Sequence, residues 1–224
     1  MNVDNAQFAL DEQPSIVRLQ RGAHAILNNR LYLGSAKSAI NEAVLKADGI
    51  THILNVTKEL QKQQYSGITV CQLPCYDSPQ QQLPFEEAAT FIDQCLSNNN
   101  NTEQEAEGGG GRCLVHCNAG QSRSASVIIY YLMTKEKSLK QSYEYVKARK
   151  PDIRPNYGFC SQLQCAELKL FKERKTSSLD MTEYKADTLC EILEGSGKSR
   201  KDVLDALRVT RGDGEIALGM LLEE

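Results

Sequence analysis

The sequence lacks any apolar stretch long enough to cross a bilayer. Its longest apolar run, residues 125–133, is less than half the length of about 20 residues that a transmembrane helix needs. The first twelve residues, M-N-V-D-N-A-Q-F-A-L-D-E, lack the basic start and apolar core of a secretory leader. The second residue is also not the glycine that myristoylation requires. We therefore expect no contact with a membrane.

The chain also lacks a large excess of either charge. Its 26 Lys and Arg residues nearly balance its 29 Asp and Glu residues, which gives a net charge of −3. Without a strongly basic surface, there is no electrostatic reason to expect a nucleic-acid partner. A length of 224 residues with 41% hydrophobic content predicts one full domain and a small appendage.

Eight cysteines are present, but zinc-binding spacing is absent. Cys71 and Cys75 are four residues apart, as are Cys113 and Cys117, whereas the short pairs of zinc sites are usually C-x2-C. No histidine-rich element follows either pair, so we expect no metal and no other cofactor. Because nothing indicates secretion, the cysteines are interpreted as free thiols in a reducing compartment, the cytoplasm and also the nucleus.

Strand and helix patterns alternate along most of the chain. This alternation predicts an α/β fold in which helices flank a central, mostly parallel sheet. The predicted strands are two short ones within 25–34, around an Asn-Asn turn, followed by 51–56, 68–73 and 113–115. The predicted helices are 38–47, 84–96, 124–133, 139–150 and 157–172.

One segment carries recognisable chemistry, the run R-C-L-V-H-C-N-A-G-Q-S-R-S at residues 112–124. A short apolar strand leads to Cys117, and a tight loop then leads to a helix that is apolar on nearly every side. A loop that runs onto a helix N-terminus points backbone N–H groups inward and forms an anion cradle. A cysteine at the mouth of this cradle is stabilised as a thiolate, and the planar guanidinium of Arg123 can hold two phosphate oxygens. The pattern predicts a nucleophile aimed at a bound phosphate, without a metal.

These residues resemble the dual-specificity family of cysteine-dependent protein phosphatases. The match is H-C-x2-G-x2-R-S, formed by His116, Cys117, Gly120, Arg123 and Ser124. The resemblance continues through L-Y-L-G-S at 31–35 and P-N-x2-F-x2-Q-L at 155–163, and it covers about residues 31–171. It implies the cysteine-phosphatase fold and phosphoprotein substrates.

The resemblance also implies roles for individual residues. Asp77, on a loop about forty residues before the nucleophile, is expected to be the general acid and base, with Glu86 and Glu87 as weaker alternatives. Spacing alone leaves Asp77 equally suited to capping its turn. Ser124 is expected to donate a hydrogen bond to the departing thiolate and also to cap the helix, while His116 orders the loop. The phosphate loop comprises Asn118, Ala119, Gly120, Gln121, Ser122 and Arg123, and its first five residues are expected to contribute mainly backbone N–H groups.

The loop's side chains bear on the substrate. Those at positions 118, 119, 121 and 122 are neutral, which favours phosphoproteins over inositol phospholipids. No phosphotyrosine-recognition loop is evident, so a shallow pocket should also admit phosphoserine and phosphothreonine. Four cations follow in sequence and either attract acidic substrates or form a solvated helix face: Lys147, Arg149, Lys150 and Arg154.

Three alternatives remain open from the sequence. One is a phosphate-binding adaptor with little turnover, and the second is an RNA or lipid phosphatase of the same superfamily. The third concerns redox chemistry: Cys75 or Cys113 can protect an oxidised Cys117 by forming a disulfide, or they are simply buried small residues.

The composition divides the chain into an N-terminal arm (1–24), a catalytic domain (25–175) that contains a low-complexity mobile loop (97–111), and an appendage (176–224). The appendage contains 11 acidic and 6 basic residues, a net charge of −5, and its glycines separate three predicted helices at 185–193, 201–208 and 215–222. Its A-L…G-D-x-E-x-A…L-L pattern resembles ubiquitin-associated three-helix domains, which implies a protein partner. The first loop, E-G-S-G-K-S, lacks the Met-Gly-Phe that those domains use on ubiquitin.

Overall fold

A computed structural model describes residues 22–58, 64–97 and 110–223. The chain divides into two compact units, residues 1–173 and 174–224. Most of the predicted arm (1–24), most of the predicted low-complexity loop (97–111) and residues 59–63 lie outside the described residues.

The first unit contains the predicted mostly parallel sheet. Its five strands follow the order β1-β2-β5-β3-β4, and only the β1–β2 pair is antiparallel. Asn28 and Asn29 turn the chain between β1 and β2 with φ of 47° and 50°, a conformation that asparagine tolerates better than most residues. The strands are β1 (His24–Leu27), β2 (Leu31–Gly34), β3 (His52–Asn55), β4 (Thr69–Gln72) and β5 (Cys113–His116).

Among the described residues, five α-helices accompany the sheet: α1 (Glu42–Ala47), α2 (Phe85–Ser97), α3 (Arg123–Met133), α4 (Leu139–Arg149) and α5 (Tyr157–Leu170). The predicted helix 38–47 is wrong in its first half. A short 3-10 helix at Ala36–Ala39 precedes α1, and Asn41 between them adopts an extended conformation. Its side chain accepts a hydrogen bond from the Val44 N–H, so Asn41 acts as an N-cap and starts a separate helix.

Helix α3 is the centre of the first unit, because all eleven of its residues are buried. It packs against α2, α4 and α5 and against strands β2 and β5. Burial on every side explains why its sequence shows no polar face. The helix therefore begins from a fixed position directly after the loop that follows β5.

The second unit consists of three helices, α6 (Met181–Ile192), α7 (Arg200–Val209) and α8 (Gly214–Glu223). Helix α6 begins four residues before the predicted start, because Asp180 caps it and accepts hydrogen bonds from the N–H groups of Thr182 (2.7 Å) and Glu183 (3.2 Å). The buried core of this unit comprises Ala186, Leu189, Leu193, Val203, Ala206, Leu207, Ala217 and Leu221.

Candidate active site

The candidate site lies at the carboxyl end of β5, an interior strand of the sheet. Strand β5 pairs with β2 on one side and β3 on the other, so His116 is in register with Gly34 and Asn55. Cys117 follows this strand directly, and after five intervening residues the chain enters α3 at Arg123. Two rigid elements therefore fix both ends of the loop.

The thiol of Cys117 lies within this loop and is only 1% exposed. Its Sγ accepts a hydrogen bond from the backbone N–H of Gly120 and another from the Ser124 hydroxyl, both at 3.2 Å. Both donors stabilise negative charge on the sulfur, as the cradle hypothesis requires. The arrangement suits a thiolate nucleophile.

Gly120 allows the loop to close over the end of β2. Its φ is +74°, and a Cβ placed there would lie 2.5 Å from the carbonyl oxygen of Gly34. A second contact joins the same segments, because the Ala36 N–H donates to the Asn118 carbonyl at 3.0 Å. Only glycine meets both requirements at this position.

The guanidinium of Arg123 is held at the same end of the sheet. The residue is 3% exposed, and its Nη1 donates to the carbonyl of Cys75 at 2.9 Å. Its Nε lies 3.6 Å from Oδ2 of Asp77. A buried guanidinium and a buried thiol at the two ends of one short loop form an arrangement that favours a phosphate dianion.

The structure brings Asp77 to this loop as well. Its Oδ1 accepts hydrogen bonds from the Ser122 hydroxyl at 2.7 Å and from Nδ2 of Asn156 at 2.9 Å. The turn after Asp77 is instead bonded through Ser78, whose Oγ lies 3.4 Å from the Gln80 backbone nitrogen. The alternatives Glu86 and Glu87 are exposed in the first turn of α2.

Two details of the loop differ from the sequence-based expectation. Ser124 does not cap α3: the helix begins at Arg123, Ser122 occupies the N-cap position, and Ser124 is fully buried with its hydroxyl directed at Cys117. Ser122 also contributes its side chain, which reaches Asp77. A partner 45 residues away in sequence cannot be read from local spacing.

Asn156 is the site residue that sequence reasoning missed. Its Oδ1 accepts from the Phe159 N–H at 3.0 Å and caps α5, while its Nδ2 reaches Asp77. The signal for the cap is present in the sequence, because an asparagine precedes a helical pattern. The signal for the contact with Asp77 is absent, because it spans 79 residues.

His116 is buried beneath the loop, with Nδ1 3.3 Å from the carbonyl oxygen of Cys117. Burial lowers the pKa of His116 to about 4, and the backbone contact with Cys117 opposes this only in part. The imidazole is therefore neutral at physiological pH. This state suits the ordering role that the sequence analysis assigned to it.

The predicted flanking cations have contacts within the chain itself. Lys147 donates to the Ile153 carbonyl (3.2 Å), Lys150 pairs with Asp152 (2.6 Å), and Arg149 stacks over the Tyr145 ring at 3.5 Å. The fourth, Arg154, is exposed, and its backbone N–H donates to the Gln121 carbonyl of the phosphate loop at 2.9 Å.

The two proposed redox partners of Cys117 differ in position. Cys113 and Cys117 stand at opposite ends of β5, which separates their Cα atoms by about 13 Å, twice the span of a disulfide. The Cys113 hypothesis is therefore wrong. Cys75 lies on the same side as the site, since its carbonyl binds Arg123. Burial raises the pKa of its thiol, and nearby Arg123 opposes this rise.

Three broader features concern only the part of the chain that the structure describes. Within it, no three His, Cys, Asp or Glu side chains are grouped closely enough to hold a metal ion. No helix there is both long and apolar enough to cross a membrane. All eight cysteines fall within these residues and are thiols.

Comparison with protein families gives one match, to the dual specificity phosphatase catalytic domain, over residues 31–169. Human dual specificity protein phosphatase 9 is 36% identical over 182 residues, which cover 78% of this chain and 44% of the relative. Mouse dual specificity protein phosphatase 14 is 34% identical over 176 residues, which cover 77% of this chain and 82% of the relative. The chain thus spans less than half of the first relative.

A solved structure shares the fold. A mouse putative dual specificity phosphatase, complexed with zinc tungstate, has 28% sequence identity and a TM-score of 0.60. The match covers 73% of this chain and 96% of the mouse chain. The sheet order and the helix arrangement described above are therefore those of a known architecture.

Proposed function

The chain belongs to the dual-specificity phosphatase family, and from this premise we propose that it hydrolyses phosphotyrosine, phosphoserine and phosphothreonine in proteins. The observation that carries the proposal is one loop and its neighbour: the loop begins at a buried Cys117 thiol with two hydrogen-bond donors and ends at a buried Arg123, whose Nε lies 3.6 Å from Asp77. These groups supply a nucleophile, an oxyanion clamp and a proton donor.

In the first step, the Cys117 thiolate attacks phosphorus in line with the ester oxygen. The S–P bond forms as the P–O bond to the leaving group breaks, and protonated Asp77 donates its proton to the departing oxygen. Arg123 and the loop N–H groups hold the remaining phosphoryl oxygens, whose charge they balance through the transition state.

In the second step, water attacks the phosphoryl group on Cys117. Asp77, now a carboxylate, accepts a proton from that water, the S–P bond breaks, and inorganic phosphate is released. The departing thiolate receives the Ser124 hydroxyl as a donor, at the 3.2 Å already present between these groups. The cycle balances without a metal or a cofactor.

The proposed substrate class follows from the loop's neutral side chains. Asn118, Ala119, Gln121 and Ser122 add no positive charge for a multiply phosphorylated lipid headgroup. Relatives whose names describe dual specificity support acceptance of both phosphotyrosine and phosphoserine or phosphothreonine. An RNA or lipid phosphatase remains the weaker alternative, as does an adaptor that binds phosphate without turnover.

The test is phosphate release from matched phosphotyrosine and phosphothreonine peptides in a buffer that contains a chelator, with Cys117→Ser as the comparison. We expect release from both peptides, and none from the variant. Tungstate, the oxyanion bound to the mouse relative, provides the folding control. Cys117→Ser should still be stabilised thermally by tungstate, since Arg123 and the loop amides remain. Binding without release by the wild type would favour the adaptor.

We also propose that the second unit is a protein-interaction module resembling a ubiquitin-associated domain. Ile216 and Met220, one turn apart on α8, are 58% and 38% exposed, and such apolar groups suit a partner surface. Titration of isotope-labelled chain with ubiquitin tests the finer assignment. Because the first loop lacks Met-Gly-Phe, we expect no saturable shifts in α8, and saturable shifts would restore ubiquitin as the partner.

A further inference from the structure

We propose that Asn156 is a positioning residue for the acid step, and that with Ser122 it reserves Oδ2 of Asp77 as the oxygen that carries the proton. The inference deepens the proposed function and rests on it, because it assigns an atom and a supporting residue to the proton transfer. It concerns a contact between the start of α5 and the loop after β4, which the family pattern in the sequence does not reveal.

The two oxygens of the Asp77 carboxylate have different surroundings. Oδ1 accepts both side-chain donors, the Ser122 hydroxyl at 2.7 Å and the Asn156 amide at 2.9 Å. A carboxylate oxygen has about two acceptor sites, so these bonds occupy Oδ1. Oδ2 lies 3.6 Å from Nε of Arg123, the residue that clamps the phosphoryl group. Oδ2 is thus the oxygen on the side of the reacting atoms.

The direction of both donors is set by α5 and not by Asp77. Oδ1 of Asn156 accepts from the Phe159 N–H as the helix cap, which leaves its Nδ2 to face Asp77. The Asn156 backbone N–H donates to the Ser122 oxygen at 3.2 Å, so the hydroxyl hydrogen of Ser122 is free to point at Asp77. The first turn of one helix therefore orients both hydrogen bonds.

The same helix also holds the rest of the loop that carries Asp77, residues 77–83. Gln162 accepts from the Leu83 N–H at 3.0 Å and donates to the Gln81 carbonyl at 2.8 Å. Gly158 packs so closely that a Cβ there would lie 2.0 Å from the carbonyl oxygen of Pro79. The loop from 77 to 83 consequently rests on α5, and Asn156 is the point at which that support reaches the carboxylate.

A positioning role makes a prediction that a purely structural role does not. The acid matters when the leaving oxygen is basic, as in phenyl phosphate, whose phenol has a pKa of about 10. It matters little for 2,4-dinitrophenyl phosphate, which releases a weakly basic phenolate. A mispositioned Asp77 should slow phosphoryl transfer to Cys117 from the first ester and spare that transfer from the second.

The chain offers variants that separate the two functions of Asn156. Asn156→Ser keeps a good N-cap for α5 but removes the amide donor to Asp77. Asn156→Thr also keeps the cap and also lacks the amide, so it provides a second test if the serine variant folds poorly. Asn41→Ser is the matched control, since Asn41 caps α1 in the same way, through the Val44 N–H, and contacts no site group.

The experiment measures kcat/KM, which reports on phosphoryl transfer to Cys117 and not on the second step, for both esters with full-length wild type, the three variants, Asp77→Asn and the Asn156→Ser/Asp77→Asn double variant. We expect Asn156→Ser and Asn156→Thr to lower kcat/KM for phenyl phosphate by about 10- to 100-fold, part of the 10²- to 10⁴-fold that acid catalysis supplies. The value for the dinitrophenyl ester should stay within about two-fold, and Asn41→Ser should change neither ester. In the Asp77→Asn background, Asn156→Ser should add no further loss, because it acts through Asp77.

Three outcomes would overturn the inference. Equal losses on both esters would mean a general structural role, and no loss on either would mean that Asp77 needs no such support. A further loss in the Asp77→Asn background would mean that Asn156 acts on another group. If wild type hydrolyses neither ester, the proposed function itself fails, which is a different result from an active wild type with indifferent variants.

Discussion

The two units of the chain differ in what their interiors contain. The first buries polar groups at its centre, among them His116, Arg123, Ser124 and Ser126, each at most 3% exposed. The core of the second unit is a cluster of eight apolar residues. Because unpaired polar groups are costly to bury, the polar interior of the first unit indicates selection for chemistry rather than for stability.

Some of their glycines also differ in their surroundings. A Cβ at Gly120 or Gly158 would collide with backbone, whereas Cβ atoms at Gly195, Gly197 or Gly219 of the second unit would meet nothing within 4 Å. In the first unit, close backbone approach holds the loop after β5 against the end of β2 and the loop after Asp77 against α5. In the second, two of the glycines only turn the chain between helices. The comparison leads to four predictions, from the largest expected effect to the smallest.

Gly120→Ala should abolish most activity. Its Cβ would lie 2.5 Å from the Gly34 oxygen at a φ of +74°, so the loop must shift, and a displacement of about 1 Å can cost 10²-fold in rate. We expect kcat for p-nitrophenyl phosphate to fall by at least about 10²-fold. Gly219→Ala is the control and should match wild type. Activity of Gly120→Ala within a few-fold of wild type would contradict the close approach.

Leu189→Ala should destabilise the second unit by about 2–5 kcal/mol, since it removes a side chain that is 1% exposed from a small core. Hydrogen exchange of peptides from residues 174–223 should accelerate, while kcat is unchanged, because every site residue belongs to the first unit. Ile192→Ala, on the same helix but 43% exposed, should have little effect. A parallel fall in kcat would show that catalysis depends on the second unit.

His116 should make stability depend on pH in a specific window. Its pKa of about 4 in the folded chain is below the ordinary value of about 6.5, so the unfolded chain binds the proton more readily. The contribution of neutral, buried His116 to the free energy of unfolding is complete above about pH 6.5. It is lost as pH falls toward 4, by up to about 1.4 kcal/mol per pH unit. Urea unfolding at several pH values measures it.

His116→Gln should reduce this pH slope, because glutamine does not titrate. The other acidic groups titrate in both proteins, so the difference between the two slopes isolates His116. If the variant shows the same slope as wild type, His116 does not cause the pH dependence of stability.

Gly219→Ala should stabilise α8 slightly, by about 0.5–1 kcal/mol, because glycine within a helix is less favourable than alanine. No atom lies within 4 Å of the added methyl group. Thermal unfolding of the full chain measures the change. Gly195→Ala is the matched comparison, because its φ of +85° should make the same substitution unfavourable, and stabilisation by both would contradict this account.

The sequence was sufficient for features with a local signal. The apolar run after Arg123 predicted α3, and the spacing of Cys117, Gly120 and Arg123 predicted a tight loop between a strand and that helix, as the structure has it. The helix at 38–47 was misplaced because the cap at Asn41 competes with an amphipathic pattern that continues across it. The start of α6 was missed in the same way, since the cap at Asp180 precedes the apolar positions.

Features that depend on distant segments could not be predicted. The Asp77 contacts with Ser122 and Asn156 join residues 45 and 79 positions apart, and only the folded sheet and α5 bring them together. Cys113 was considered a partner for Cys117 because the two are close in sequence, yet an extended strand separates them. Two residues that are close in sequence can be too far apart to touch when an extended strand separates them. Two residues that are distant in sequence can be in contact when the fold brings their loops together.

The most direct test of the account is to look for the phosphoryl group on Cys117. Wild type and Ser124→Ala would be quenched in acid during turnover of a phosphotyrosine peptide and then digested for mass spectrometry. We predict one phosphoryl group on the peptide that contains Cys117, with more in Ser124→Ala, because the departing thiolate loses its donor and the second step slows. Phosphate release by the wild type with no phosphoryl group on Cys117 in either protein would contradict the account.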